Sequence, residues 1–128
     1  AKMATLAALL WEYLPDINRA GFYRAIDGEL VLGPFQGKTA CIRIAMGAGV
    51  CGTAAASGES QLVYDVDAVP GHIPCDAASA SELLVPIIVD GDLVGVLDID
   101  SPNTARFDAE DAAGCEALVA LIGSRIAG

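Results

Sequence analysis

The stretch ELLVPIIVDGDLVGVLDIDS, residues 82–101, decides how this chain folds. Two apolar runs, ELLVPIIVD and LVGVLDID, flank Asp90-Gly91-Asp92. Short apolar runs on either side of an Asp-Gly turn predict a β-hairpin. Side chains alternate across a strand, so Asp98 and Asp100 share one face, while Leu97 and Ile99 share the other and point to the core. The same signal occurs earlier. NRAGFYRAI (18–26) and ELVLGPF (29–35) flank Asp27-Gly28 and predict a second hairpin. Shorter strands are expected at CIRIAM, 41–46, and SQLVYDV, 60–66. Hairpins dominate, so the sheet is read as antiparallel, with six strands, and the class is α+β.

Helical periodicity brackets this sheet. Met3, Leu6, Leu10 and Tyr13 or Leu14 predict a helix over 3–14, stopped by Pro15. In GAGVCGTAAASGES, 47–60, small residues ending at Ser57-Gly58 predict a short helix capped by glycine. A last helix follows Phe107, with Asp108 as N-cap and Asp111 three residues on. Its apolar stripe is read as Leu118, Leu121, Ile122 and Ile126. The terminal helices cover one face of the sheet. The middle segment, 47–80, is left to cover the other and to form a small-molecule pocket.

With 128 residues there is length for one core and one domain, residues 1–128. Seventeen acidic residues against seven basic ones give a net charge of −10, which disfavours nucleic acid and anionic membranes as partners. No run reaches the length of a transmembrane helix, and AKMATLAALLWEYL lacks the features of a signal peptide. A cytoplasmic location is therefore expected. The first helix starts abruptly at Ala1, so an upstream segment is expected to be missing.

Four cysteines, at 41, 51, 75 and 115, include no CxxC pair, so no metal site is expected. Cys115 on the last helix reads as core, and Cys41 at the start of an apolar strand fits a core position too. Cys51, in a Gly-rich turn, and Cys75, in the loop GHIPCDAASASE, fit disulfide exchange better than packing. His72 reads as lining the pocket or solvated, rather than as a base for Cys75. Gly47, Gly49 and Gly52 match a G-x-G-x-x-G spacing, but no βαβ unit surrounds them, and they read as a tight turn into the short helix. For Asp98 and Asp100 two readings stand. They form a solvent-facing strand end, or a pair that holds an ammonium group or supplies a proton. Adjacent carboxylates raise each other's pKa unless a cation lies between them.

The motifs LGPFQGK, GVCGTA, GHIPCDAAS, SE and GVLDIDS lie in that order between about Asn18 and Phe107. Together they resemble the free methionine-(R)-sulfoxide reductases, which are GAF-domain enzymes. The resemblance implies a six-stranded antiparallel sheet with helices on one side and a ligand pocket on the other. It implies reduction of free methionine-(R)-sulfoxide, with Cys75 as nucleophile, Cys41 as resolving cysteine and Cys51 as a third thiol for disulfide exchange. Glu82, Asp98 and Asp100 match the pocket carboxylates, and Tyr23 a pocket aromatic. The family usually carries an aromatic residue, often Trp, just before AGFY, packed on the substrate methyl group; here Arg19 stands there. A guanidinium in that place stacks or pairs with a carboxylate. No bound cofactor is implied. The reductant is external, a thioredoxin system fed by NADPH, and relatives suggest a homodimer. The alternative is a non-catalytic GAF module that binds a small ligand or senses thiol oxidation.

Overall fold

Both Asp-Gly dipeptides make two-residue hairpin turns. Asp27 and Gly28 have φ of 51° and 79°, and Asp90 and Gly91 have 51° and 84°, the left-handed pairs that match the twist of the flanking strands. Asp92 already belongs to the returning strand, where it pairs with Val89. The computed structural model describes residues 1–70 and 79–126, with side chains described through residue 123. His72 and Cys75 lie outside the described residues.

The elements are α1 (Lys2–Tyr13), β1 (Arg19–Ile26), β2 (Glu29–Gly37), β3 (Arg43–Ala45), α2 (Gly49–Ser57), β4 (Gln61–Val63), β5 (Ser81–Val89), β6 (Asp92–Ser101) and α3 (Ala109–Ile126). The six strands form one sheet in the order β3-β2-β1-β6-β5-β4, and the neighbours pair antiparallel. Pro86 is tolerated in β5 because it lies beyond the last residue paired with β4, where a missing N–H breaks no ladder on that side.

Each sheet face has its own core. On one, Phe22, Leu83, Leu97 and Ile99 pack against Met3, Leu6 and Ala7 of α1 and Cys115 and Val119 of α3. On the other, Tyr23, Leu30, Leu84 and Val96 pack against Val50, Ala54 and Ala55 of α2. α1 stops where Leu14 turns extended before Pro15, as the proline ring requires of the residue ahead of it. α3 starts with a reciprocal cap. The Asp111 N–H donates to Asp108 Oδ1 at 2.9 Å, and the Asp108 N–H donates to Asp111 Oδ2 at 3.0 Å.

Three expectations change. Leu121 is 75% exposed; the buried stripe of α3 runs through Cys115 and Val119, with Leu118 and Ile122 at its margin. β3 is shorter than 41–46, leaving Cys41 and Ile42 outside it. β4 ends at Val63, because the exposed Asp65 side chain accepts from the Asp67 N–H at 3.0 Å and caps a 3₁₀ turn at Val66–Ala68. The Gly47–Gly52 spacing is a turn into α2. Gly47 and Gly49 have φ of 81° and 61°, and the Gly47 N–H donates to the Gly52 carbonyl at 2.8 Å.

Candidate active site

Antiparallel register lines up the residues that the sequence scatters. Across β1, β6 and β5, Arg19 stands opposite Asp100, and Asp100 opposite Glu82. One step along, Gly21 faces Asp98, and Asp98 faces Leu84. Directly opposed residues project to the same face, so Arg19, Glu82, Asp98 and Asp100 share the α2 side of the sheet. Gly21 adds no side chain to the middle of this group. It pairs with Phe35 of β2, and a Cβ at position 21 would lie 2.3 Å from the Phe35 Cβ.

Asp98 and Asp100 are 6% and 5% exposed, so the solvent-facing reading of this pair does not hold. Arg19 is the cation beside them, and it is fully buried. Its Nη1 donates to Asp98 Oδ2 and lies 3.6 Å from Asp100 Oδ2. The guanidinium carbon sits 5.3 Å from the Tyr23 ring centre and 5.6 Å from that of Phe35, within cation–π range of both. Burial works against the charge of Arg19, but Asp98 and Asp100 outweigh it and its pKa rises. The Asp100 carboxyl is pushed well above the ordinary range, first by burial and then by the charge of Asp98. That shift favours the protonated form of Asp100, which can then serve as a proton donor beside the ion-paired Asp98.

The thiols fall into different settings. Cys51 is half-buried inside α2, not in a turn as the glycines around it suggest; the helix begins at Gly49. Burial, then the charge of Asp98, raise its pKa well above the ordinary thiol value, which keeps it protonated. Cys41 is disulfide-bonded, whereas Cys51 and Cys115 are free. The Tyr23 hydroxyl donates to the Cys41 carbonyl at 3.0 Å, tying the Cys41 backbone to the site. Cys115 lies in the opposite core, buried as expected. Segment ends are pinned close by: the Ala80 N–H donates to the Ser101 carbonyl at 2.7 Å, and the Asn18 N–H to the Asp100 carbonyl at 2.9 Å. Phe35 is a site residue that the sequence reading passed over. Its signal was the hairpin register, which sets it against Gly21. Among the described residues no group of three or more His, Cys, Asp or Glu is placed to hold a metal ion. No described helix is long and apolar enough to cross a membrane.

A six-stranded antiparallel sheet with α1 and α3 on one face and a polar site beside α2 on the other fits the GAF class, and the GAF domain model matches residues 3–127. The free methionine-R-sulfoxide reductase of Escherichia coli is 54% identical over 122 residues, covering 95% of this chain and 74% of that protein. The structure of fRMsr of Staphylococcus aureus in complex with substrate superposes with a TM-score of 0.91 at 48% identity, covering 97% of this chain and 81% of that one. Free methionine-R-sulfoxide reductase from Neisseria meningitidis, in complex with its substrate, gives a TM-score of 0.92 at 46% identity, covering 97% and 75%. The chain belongs to the GAF family and, within it, to the free methionine-R-sulfoxide reductases.

Proposed function

We infer that this protein reduces free methionine-(R)-sulfoxide to methionine. The observation that carries the reading, beside family membership, is the buried Asp98–Asp100 pair with Asp100 opposite Glu82, a setting whose burial and neighbouring charge raise the Asp100 pKa and favour its protonated form. Oxide is a very poor leaving group, so the sulfoxide oxygen needs a proton as the S–O bond breaks. Asp100 donates that proton, Glu82 assists at the same oxygen, and Asp98 takes the substrate ammonium group.

The Cys75 thiolate attacks the sulfoxide sulfur. A bond forms between the Cys75 and substrate sulfurs as the protonated oxygen leaves as water. Water then adds to the Cys75 sulfur while that S–S bond breaks, so methionine leaves with its sulfur reduced by two electrons and Cys75 becomes sulfenic acid, oxidised by two. The Cys41 thiol then attacks the Cys75 sulfur, releasing water and forming a disulfide. The disulfide at Cys41 is compatible with the end of this cycle. Cys51 is the third thiol, able to exchange with that disulfide once it ionises. A dithiol of the thioredoxin type, recharged by NADPH, restores both thiols. No metal or organic cofactor enters this scheme. Such a cycle belongs in the reducing cytoplasm, and a homodimer is the assembly that the resemblance suggests.

The test couples NADPH consumption to thioredoxin, thioredoxin reductase and free methionine-(R)-sulfoxide. Wild-type protein turns over and Cys75→Ser does not. An inactive wild type sinks the enzyme reading and favours the ligand-binding or redox-sensing alternative.

A further inference from the structure

Among the described residues, five buried side-chain atoms around the site have no hydrogen-bond partner. Four of them belong to one cluster: Nε and Nη2 of Arg19, Oδ1 of Asp98 and Oδ1 of Asp100. Orphaned buried polar atoms are costly, and each in a native structure needs a reason. Here they are of both signs. Nη1 of Arg19 is spent on Asp98, which leaves the edge of the guanidinium that carries Nε and Nη2. That edge presents two roughly parallel N–H groups, the fork that matches the two oxygens of a carboxylate. Tyr23 and Phe35 flank the guanidinium, and Asp98 holds one end of it, so the fork is fixed before any ligand arrives.

We propose that Arg19 is a specificity-determining residue that receives the α-carboxylate of the free amino-acid substrate through its Nε–Nη2 edge. This rests on the sulfoxide reductase reading. A ligand with only an ammonium group leaves the fork unpaired, and a plain anion leaves the aspartate oxygens unpaired. A zwitterion satisfies both in one event. An amidated or peptide-bonded methionine sulfoxide offers one neutral carbonyl oxygen in place of the carboxylate, and half of the fork stays empty. The buried Asp98–Arg19 pair thus selects the free amino acid over the same side chain within a peptide.

The experiment compares methionine with methioninamide, which keeps the ammonium group and loses the carboxylate. Binding to reduced protein is followed by calorimetry, and turnover of the two corresponding (R)-sulfoxides with dithiothreitol as reductant. Wild type is expected to prefer the acid roughly 10- to 100-fold, the worth of one charge-assisted bidentate contact. In Arg19→Gln/Asp98→Asn, which removes the ion pair without stranding either charge, the preference falls to about one. Thermal melting checks the fold. Should the double variant not fold, Arg19→Lys, which keeps the charge without the fork, is expected to lower the preference about tenfold. Equal binding of acid and amide by wild type, no binding of either, or a preference that survives in a folded variant overturns the proposal. An acid preference in binding together with no sulfoxide turnover sinks the reductase reading and leaves the role of Arg19 standing.

Discussion

The two faces of the sheet are made by the same strands and have opposite chemistry. On the α1–α3 face, Phe22, Leu97 and Ile99 form a dry core, and Cys115 among them is a packing residue with its pKa pushed up to about 11, chiefly by burial. On the α2 face, the residues next to them in sequence, Asp98 and Asp100, meet Arg19 from β1 and Cys51 from α2. Strand periodicity of two lets VLDIDS serve both faces at once. Burial on one face excludes water from hydrocarbon; on the other it sharpens electrostatics between groups that a solvated surface would screen.

The largest effect should come from the polar face. Asp100→Asn is expected to lower kcat/KM by ~10²- to 10⁴-fold, the usual worth of a positioned acid, with no loss of stability in thermal melts. Near-normal turnover in that variant would remove Asp100 from the chemistry. Next comes its neighbour on the dry face. Ile99→Ala should cost about 2–5 kcal/mol in urea unfolding, while the folded fraction keeps its kcat. A fall in kcat at unchanged stability would mean that the faces are not independent.

The pH response separates them further. Asp100 has a folded pKa above its ordinary 3.8, so between those two values the native state binds more protons than the unfolded chain. Its contribution to stability is fully present below the unfolded pKa and is lost as pH rises through the folded one. Turnover declines over the same rise, because the proton to be donated is gone. Asp100→Asn should flatten that part of the stability profile, measured by melts across pH; an unchanged slope would assign it to other groups. The smallest effect is expected at Cys115→Ala: about 1 kcal/mol or less of stability, and unchanged kinetics. In the folded protein, both free thiols should alkylate far more slowly at neutral pH than in urea.

Much of this contrast is legible in local sequence. Asp-Gly turns fix both hairpins, Asp108 and Asp111 mark the start of α3, and the spacing of Asp98 and Asp100 places them on one face. Whether that face meets water is not local information. It depends on α2, far away in the chain, packing over it, so local sequence alone does not separate the two readings of the pair. Arg19 is similar. Its partners follow from the pairing of β1 with β6, across 79 residues of separation from Asp98. Phe35 escaped notice because an aromatic in a strand reads as packing, and only the register against Gly21 puts it beside a charge. Leucine weighs heavily in periodicity, which puts Leu121 in the apolar stripe of α3; Cys115 and Val119 hold the buried part of that stripe instead. The short β3 and β4 reflect competition from neighbouring turns that apolar patterning does not register.

Gly21 limits how this pocket can change. The positions on either side of it in space, 19 and 35, carry replaceable side chains, and drift or a combinatorial library can vary them to shift which head group is preferred. Position 21 has no such freedom, since any added methyl would overlap the Phe35 Cβ. New selectivities must therefore be assembled from the walls around a floor that stays bare.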